Sequence, residues 1–368
     1  MHLSFKVAFL LGFIVFLNSK ITQAQYAYQQ NNKQQQINEA YAKGVVEQKL
    51  GEYEASVTQF SKAIQLNPTH KEALFERGKS YMLIQAFSSA SEDFNEVIRL
   101  DSNFADAFFY LASVYYQKKE YNIALSIYNK AIQIKADYVL AYNYRAETLR
   151  NLGFLEQALQ DYDKAIEIAP KEPKLYFAKG KCLLEKEDYT QASNCFTQCI
   201  ALNPKDPIYY HYRIHANFLA KNYLLTIADI KTLMADQPNA IETYHYALLA
   251  TCQAQTGNYR EAVTAISQVI DREPDKEYIL ERITYNQTLA DTNAVLKDYL
   301  HLKSKDKEPF QYYKPIKEIY FAQKDYQNAL EYINPMIEND PENAELYYQR
   351  YICKKNLGAA DAAHLDLK

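Results

Sequence analysis

The chain repeats one pattern of residues every 34 positions, and this period constrains its fold more than any other feature. The pattern is clearest in residues 105–138. There, apolar residues recur at the i, i+3, i+4 and i+7 spacing of a single helix face in 108–115 and again in 124–134. Only a short polar turn at 118–120 separates the two stretches. We therefore predict two helices that fold back antiparallel and bury their apolar faces against each other.

The repeat carries particular residue types at six of its 34 positions. Numbered from residue 105, it has aromatic residues at positions 4, 11 and 24, small residues at 8 and 20, and in most repeats proline at 32. Small side chains permit a close helix crossing, and proline ends the second helix because it lacks a donor N–H. This arrangement resembles the tetratricopeptide repeat.

Consecutive repeats keep these residue types in phase. Position 8 is Gly44, Gly78, Ala112, Ala146 and Gly180, and position 20 is Ser56, Ala90, Ala124, Ala158 and Ala192. Position 17 is a tyrosine in six repeats, at Tyr53, Tyr121, Tyr189, Tyr223, Tyr259 and Tyr326, which we interpret as packing residues. The resemblance implies an all-α fold, a right-handed superhelical α-solenoid of antiparallel helix pairs.

The period divides the chain into five segments. Residues 1–24 are a predicted signal peptide, and 25–36 a flexible leader that lacks apolar periodicity. Repeats one to seven occupy 37–276, with Ile241 and Glu242 inserted before the seventh. Residues 277–309 keep little of the motif and are predicted to form a degenerate helical repeat. Repeats nine and ten occupy 310–368; the tenth is truncated, and Pro335 is expected to bend or shorten a helix of the ninth.

The N-terminal segment has the features of a secretory signal peptide. His2 and Lys6 precede an apolar run at 7–17, and polar residues follow up to Ala24. A membrane anchor is the alternative, but a spanning helix needs about 20 apolar residues, and this run is shorter. We therefore expect export, cleavage after Ala24, a periplasmic or secreted location, and no integral membrane span in the mature protein.

Charge and motifs argue against two classes of function. A net charge of −4 provides no basic excess for binding phosphates, so nucleic acid is not an expected partner. The sequence contains no nucleophile elbow, glycine-rich phosphate loop or HExxH motif. We therefore expect no enzyme activity and no cofactor, and we expect the partner to be a protein or peptide.

The five cysteines allow two interpretations. Cys182, Cys252 and Cys353 share position 10 of a first helix, which indicates small buried residues. In an oxidising compartment, the alternative is a disulfide from Cys182 to Cys195 or Cys199.

Three histidines are candidates for a metal site. His211 and His215 are four residues apart, a spacing that can hold a metal, and His245 lies one repeat further on. No Glu-x-x-His frame accompanies them. We therefore interpret them as surface or groove residues and expect no metal.

The resemblance also implies a binding surface, because the first helices of tetratricopeptide repeat proteins line a concave groove that binds peptides. In this chain aromatic residues dominate position 5, and residues of mixed charge stand beside them at positions 9 and 12. The predicted groove residues are Phe75, Lys79, Met82, Phe109, Tyr116, Asn143, Arg150, Phe177, Lys181, His211, His215 and Phe218. For each residue at position 5, packing between repeats is the alternative role.

These features favour a non-catalytic scaffold of the cell envelope or the secreted space that binds a peptide or protein segment in the groove. The alternative is a self-associating structural protein of the envelope. That alternative arises because the truncated tenth repeat is followed by no polar helix that covers the end of the array.

Overall fold

The structure, a computed structural model, describes residues 2–359, 363 and 365–367, and for 2–16 and 367 it describes the backbone alone. Met1 of the predicted signal peptide and residues 360–362, 364 and 368 of the predicted tenth repeat lie outside the described residues. The described residues form nineteen α-helices, three short 3₁₀-helices and no strand. The predicted all-α fold is confirmed.

The chain divides into two compact parts, one up to Glu187 and one from Asp188 onwards. The first part contains α1 (His2–Lys49), α2 (Tyr53–Leu66), α3 (Lys71–Leu83), α4 (Phe87–Leu100), α5 (Ala105–Gln117), α6 (Tyr121–Ile134), α7 (Val139–Asn151), α8 (Leu155–Ile168) and α9 (Pro173–Glu185). The second contains α10 (Tyr189–Leu202), α11 (Pro207–Leu219), α12 (Tyr223–Asp236), α13 (Thr243–Gln255), α14 (Tyr259–Arg272), α15 (Lys276–Thr288), α16 (Thr292–Lys305), α17 (Tyr313–Ala322), α18 (Tyr326–Asn339) and α19 (Ala344–Asn356). Within each part, consecutive helices pack against each other as antiparallel pairs.

A tight turn ends each first helix. In the third repeat the Lys119 N–H donates to the Tyr116 carbonyl and the Glu120 N–H to the Tyr115 carbonyl, both at 2.9 Å, which is the Schellman arrangement. Lys119 has a positive φ of 62°. The residues with positive φ are Gly51, Gln85, Lys119, Gly153, Glu187, Lys221, Gly257, Ala290, Lys324 and Gly358. All but Ala290 stand at position 15 of a predicted repeat, so the chain reverses at the same point of each period.

The small residues at position 8 lie directly beneath an aromatic ring. A Cβ atom on Gly78 would be 2.8 Å from the Phe94 ring, and one on Gly44 would be 2.7 Å from the Phe60 ring. Both rings are fully buried. The close helix crossing that the small residues predict is therefore present in the first two repeats, and it leaves no room for a larger side chain.

A contact that the sequence analysis missed recurs with a period of two repeats. Arg145, at position 7, donates to both carboxylate oxygens of Asp161 at position 23 (2.7 and 2.6 Å) and to Asn129 at position 25 of the preceding repeat (2.8 Å). It thereby joins three helices, and we call this contact the arginine fork. Equivalent forks join Arg77, Asp93 and Ser61; Arg213, Asp229 and Thr197; and Arg282, Asp298 and Ser267. A variant of the fork joins Arg350, Asp366 and Asn334, where Arg350 donates twice to the same carboxylate oxygen of Asp366.

The arginine fork shows that the degenerate repeat begins one residue earlier than predicted. Arg282 and Asp298 take positions 7 and 23 only if this repeat begins at Lys276, which is also the first residue of α15. The same start places Ala290, with its positive φ, at position 15. The repeat therefore spans 276–309 rather than 277–309. Its helices have the usual 13 and 14 residues, so the motif has changed while the helix pair has been kept.

Residues 25–36 differ from the expected flexible leader, because they are helical and belong to α1. They are exposed, but they contain neither glycine nor proline, and glutamine is a good helix former. Hydrogen bonds between side chains four residues apart, Gln34 to Asn38 and Gln35 to Glu39, add support. The lack of apolar periodicity in residues 25–36 argues against a buried helix, but it is compatible with an exposed helix. No helix among the described residues is long and apolar enough to cross a membrane.

Two other irregular positions have different outcomes. Pro335 does not shorten α18, which keeps 14 residues. The insertion of Ile241 and Glu242 lengthens the turn before the seventh repeat, as expected, and a 3₁₀-helix at Pro238–Ala240 fills part of that turn.

Replacing Asp161 with alanine is expected to lower the free energy of unfolding by about 2–4 kcal/mol, because Arg145 keeps a largely buried guanidinium without its carboxylate. The Asp161 side chain is 9% exposed, and that of Arg145 is 20% exposed. The matched control is Asp163→Ala, which removes a 60% exposed carboxylate paired with Lys179 and is expected to cost less than about 0.5 kcal/mol. Equal losses in urea denaturation would contradict a structural role for the arginine fork.

Candidate functional site

Four first helices in the part up to Glu187 are neighbours in series. α3 contacts α5, α5 contacts α7, and α7 contacts α9, besides their contacts with second helices. Positions 5, 6, 9 and 12 recur on these helices at the spacing of one repeat. We call the half-buried residues at these positions of α3, α5, α7 and α9 the first-helix surface.

At the α3 end of the first-helix surface, Lys79 lies over two aromatic rings. Its Nζ is 5.4 Å from the centroid of Phe75 and 5.8 Å from that of Tyr110, and the two rings meet edge to face at 5.3 Å. Lys79 also forms an ion pair with Glu76 (2.8 Å). The structure thus brings together the predicted Phe75 and Lys79. The structure adds Tyr110, at position 6, to this group. Tyrosine recurs at position 6 one repeat later, as Tyr144, and this recurrence in the sequence could have indicated its role.

Phe109 does not belong to this surface, and the prediction that it faces a partner is wrong. Its side chain is 5% exposed. Four tyrosine rings surround it at centroid distances of 5.2 to 5.9 Å, namely Tyr110, Tyr128, Tyr138 and Tyr144. The packing alternative therefore applies to Phe109. Met82 is half-buried and also packs against a core, that of Phe94 and Leu111.

The middle of the first-helix surface, on α7, is polar. Arg150 forms ion pairs with Glu147 on its own helix (3.7 Å) and with Glu185 on α9. The Tyr116 hydroxyl lies 3.5 Å from Glu147, and burial together with that negative charge raises the pKa of Tyr116. Asn143 Oδ1 and Arg150 Nε are buried and have no hydrogen-bond partner among the described residues. Both atoms are enclosed by protein, so neither is accessible to a ligand in this structure.

Phe177 and Lys181 repeat the pair of Phe75 and Lys79 three repeats further on. The Lys181 Nζ lies 5.3 Å from the Phe177 centroid, and both side chains are half-buried. Position 6 is Ala178 here, where the second repeat has Glu76. Lys181 forms no ion pair with a described residue. Its charge is therefore available to a ligand.

The remaining three predicted groove residues lie in the part from Asp188 onwards, and His211 is engaged there by another histidine. Its Nδ1 is 2.8 Å from His245 Nε2 and 3.1 Å from the Tyr244 hydroxyl. A zinc ion holds each nitrogen at about 2.0–2.1 Å in a tetrahedral arrangement, which would separate the two nitrogens by more than 3 Å. His211 and His245 are therefore bonded to each other rather than placed to share a metal. His215 is exposed, and the Phe218 ring packs 6.3 Å from Tyr223.

The hydrogen bonds of His245 determine its protonation. The Glu242 N–H donates to His245 Nδ1 (3.0 Å), so this nitrogen carries no proton, and His245 donates from Nε2 to His211. His245 is fully buried. Burial and the neighbouring His211 lower the pKa of His245 to about 4, and burial also lowers the pKa of His211. Both rings are therefore neutral at pH 7.

All five cysteines are free and buried, as the packing interpretation predicts, and the alternative disulfide is not formed. Burial raises the pKa of Cys182, Cys252 and Cys353 to about 11 and that of Cys199 to about 12. Because the thiolate is the reactive form, these thiols are chemically inert at neutral pH.

Models of the tetratricopeptide repeat match residues 41–103, 103–171, 173–206 and 246–276, and together they cover more than half of the chain. No curated protein matches the sequence.

Several solved structures are similar to the chain at low identity. The Pseudomonas aeruginosa protein pilF is 13% identical over 61% of this chain and 99% of its own, with a TM-score of 0.49. A tetratricopeptide repeat protein from Parabacteroides merdae is 18% identical over 69% of this chain and 99% of its own, with a TM-score of 0.48. YrrB, whose structure is described as a TPR protein with an unusual peptide-binding site, is 20% identical over 47% of this chain and 89% of its own, with a TM-score of 0.40. Likeness at this level does not indicate a shared function.

The histidine pair is expected to make stability depend on pH. An unfolded histidine binds a proton at pH values below about 6.5 and His245 in the fold only below about 4, so the unfolded state holds more protons between these values. The free energy of unfolding should therefore fall by up to roughly 3 kcal/mol as pH drops through this window.

Urea denaturation at pH 7.5 and pH 4.5 measures the difference between the free energies of unfolding at the two pH values. In His245→Gln this difference is expected to be much smaller than in the wild type. The control His215→Gln removes an exposed histidine four residues from His211 and is expected to keep it. The same pH dependence in both variants would contradict the assignment.

Proposed function

Because this chain belongs to the tetratricopeptide repeat family, we propose that it is a non-catalytic scaffold that binds a segment of a protein partner on the first-helix surface. The observation that carries the proposal is the pair of lysine and phenylalanine at positions 9 and 5, which occurs in the second and fifth repeats with the ammonium held over the ring. Partly exposed rings and, at Lys181, a charge without an ion-pair partner among the described residues are features of recognition sites.

The contacts of the first-helix surface indicate what the bound segment presents. Apolar side chains would cover the Phe75, Tyr110 and Phe177 rings, and aromatic anchors of this kind contribute much of the energy of interfaces. A carboxylate would pair with Lys181, which has no acidic neighbour at position 6. The preferred segment is therefore apolar and acidic.

We further propose that the scaffold works in the cell envelope or the secreted space. The support is the N-terminal sequence, in which basic residues, a short apolar run and a small residue at 24 follow in the order of a signal peptide. Such a location also suits the inert cysteines, because buried thiols with a raised pKa resist oxidation.

The binding surface is testable with a phage-displayed library of random peptides selected on the purified protein. Selected peptides are expected to be rich in apolar and acidic residues, and Lys181→Glu should weaken their binding about tenfold to a hundredfold. Lys130→Glu is the matched control, since it makes the same charge change at an exposed site on the second helix α6. Equal weakening by both variants, or peptides that bind without dependence on Lys181, would count against this surface.

Export is testable at the N-terminus. Protein isolated from its native host is expected to begin at or near Gln25, because cleavage after Ala24 removes the apolar run. Edman sequencing or intact mass of the isolated protein measures this directly. Recovery of the chain with Met1 still attached would contradict the prediction.

A further inference from the structure

The degenerate repeat contains a pocket that the proposed function does not use. It lies between α16 and α17, has a volume of about 310 Å³, and is lined by Gln287, Thr292, Val295, Tyr299, Glu318 and Ile319 together with smaller residues. We call it the α16–α17 pocket. It belongs wholly to the part from Asp188 onwards, whereas the first-helix surface lies in the other part.

The α16–α17 pocket occupies the space in which other repeats place an aromatic ring. Position 17, usually tyrosine, is Thr292 in this repeat. In the preceding repeat the position-17 ring is Tyr259, and its centroid is 6.2 Å from that of Tyr285 at position 10 of the next first helix. The counterpart of Tyr285 in the ninth repeat is Ile319, which lines the pocket. The small Thr292 side chain therefore leaves the space in front of Ile319 unfilled.

A second neighbour of the missing ring has changed in the same repeat. Position-17 rings also pack against position 12 of their own repeat, as Tyr121 does against Tyr116 at 5.6 Å and Tyr223 against Phe218 at 6.3 Å. Position 12 of the degenerate repeat is Gln287, which is exposed and lines the pocket. The lost ring and both of its usual contact positions thus coincide with the pocket.

Larger residues also take the helix crossing of this repeat, and one of them, Val295, lines the pocket. Positions 8 and 20, which are small in most repeats, are Ile283 and Val295 here, and both are buried. Two branched side chains at a crossing hold the helices further apart than two small ones do. Arg282 and Asp298 nevertheless form the arginine fork, so this repeat keeps the folded helix pair although its motif has changed.

The start of α17 also shapes the α16–α17 pocket. Pro315 has no N–H to donate, so the first turn of a helix is the position that suits it best. The chain accordingly forms a 3₁₀-helix at Pro309–Tyr312 and begins α17 at Tyr313, which leaves α17 with 10 residues. Pro315 then lies in that first turn and lines the pocket.

The lining indicates the class of occupant. Val295, Pro315 and Ile319 provide apolar walls, and the volume is at the lower end of the roughly 300–1,000 Å³ of ligand sites, enough for one aromatic side chain. Glu318 is the one charged residue among the described residues that line the pocket. Its carboxylate forms no ion pair with any described residue. We propose that the α16–α17 pocket binds an aromatic side chain of a protein partner, next to a basic group that pairs with Glu318.

The test uses two probes on the full-length protein, p-cresol as the tyrosine side chain and tyramine as the same ring with an ammonium group. Both are expected to shift the methyl NMR signals of Val295 and Ile319 in a saturable way, with tyramine binding at least about threefold more tightly. Glu318→Gln should remove the advantage of tyramine and leave p-cresol binding unchanged, because only the charge is lost.

A pocket-filling variant provides the decisive comparison. Thr292→Tyr restores the ring of the other repeats, so it is expected to abolish p-cresol binding and raise the melting temperature by about 2–4 °C. Thr292→Ser is the control that keeps the pocket open and should still bind. If Thr292→Tyr does not fold, Ala322→Phe fills the same pocket from α17 and should block the probe equally.

Three results would overturn the proposal: shifts that do not saturate, p-cresol binding that survives in both filled variants, or tyramine and p-cresol binding equally to the wild type. None of these results bears on Lys181, so failure of this pocket and failure of the first-helix surface are distinguishable.

Discussion

Each helix pair in this chain has an apolar face that only the next pair can cover, and the rest of the structure depends on this constraint. In the third repeat, Ala124 and Tyr128 on α6 share a core with Tyr138 and Ala141, which lead into the fourth repeat. A repeat is therefore stable mainly through its neighbours. The period must be kept strictly in the residues that make these contacts, while the other sides of the helices are free to carry a binding function.

The arginine fork modifies this picture, because it couples the repeats in twos. The forks of the first eight repeats join the second helix of an odd-numbered repeat to both helices of the following even-numbered one, as Asn129, Arg145 and Asp161 do. In the tenth repeat Asp366 takes the place of the second-helix aspartate from a 3₁₀-helix at Leu365–Leu367. No fork joins an even-numbered repeat to the odd-numbered one after it among the described residues. Polar contacts of other kinds cross those junctions, such as the ion pairs of Asp163 with Lys179 and of Arg150 with Glu185 between the fourth and fifth repeats.

The row of aromatic residues at position 5 shows how far a sequence pattern can locate a binding site. Phe75 and Phe177 are half-buried, each with a lysine over the ring, whereas Phe109 is enclosed by four tyrosines. All three occupy the same position, so the period predicts their helix face correctly. It does not predict exposure, because exposure depends on side chains from the repeats on either side. His211 is a similar case, since its partner His245 comes from the next repeat.

The sequence by itself determined the helix pairs, their turns and their close crossings, because these follow from residues within one period: a small residue at position 8, an aromatic ring at 24 and a reversal at 15. It also placed the degenerate repeat to within one residue. Only the tertiary structure decided which groups meet between repeats, namely the arginine fork, the histidine pair and the α16–α17 pocket. The physical reason is that these depend on distances of a few ångströms between side chains about 16 to 34 residues apart, and a residue pattern records the spacing of such side chains along the chain but not their separation in space.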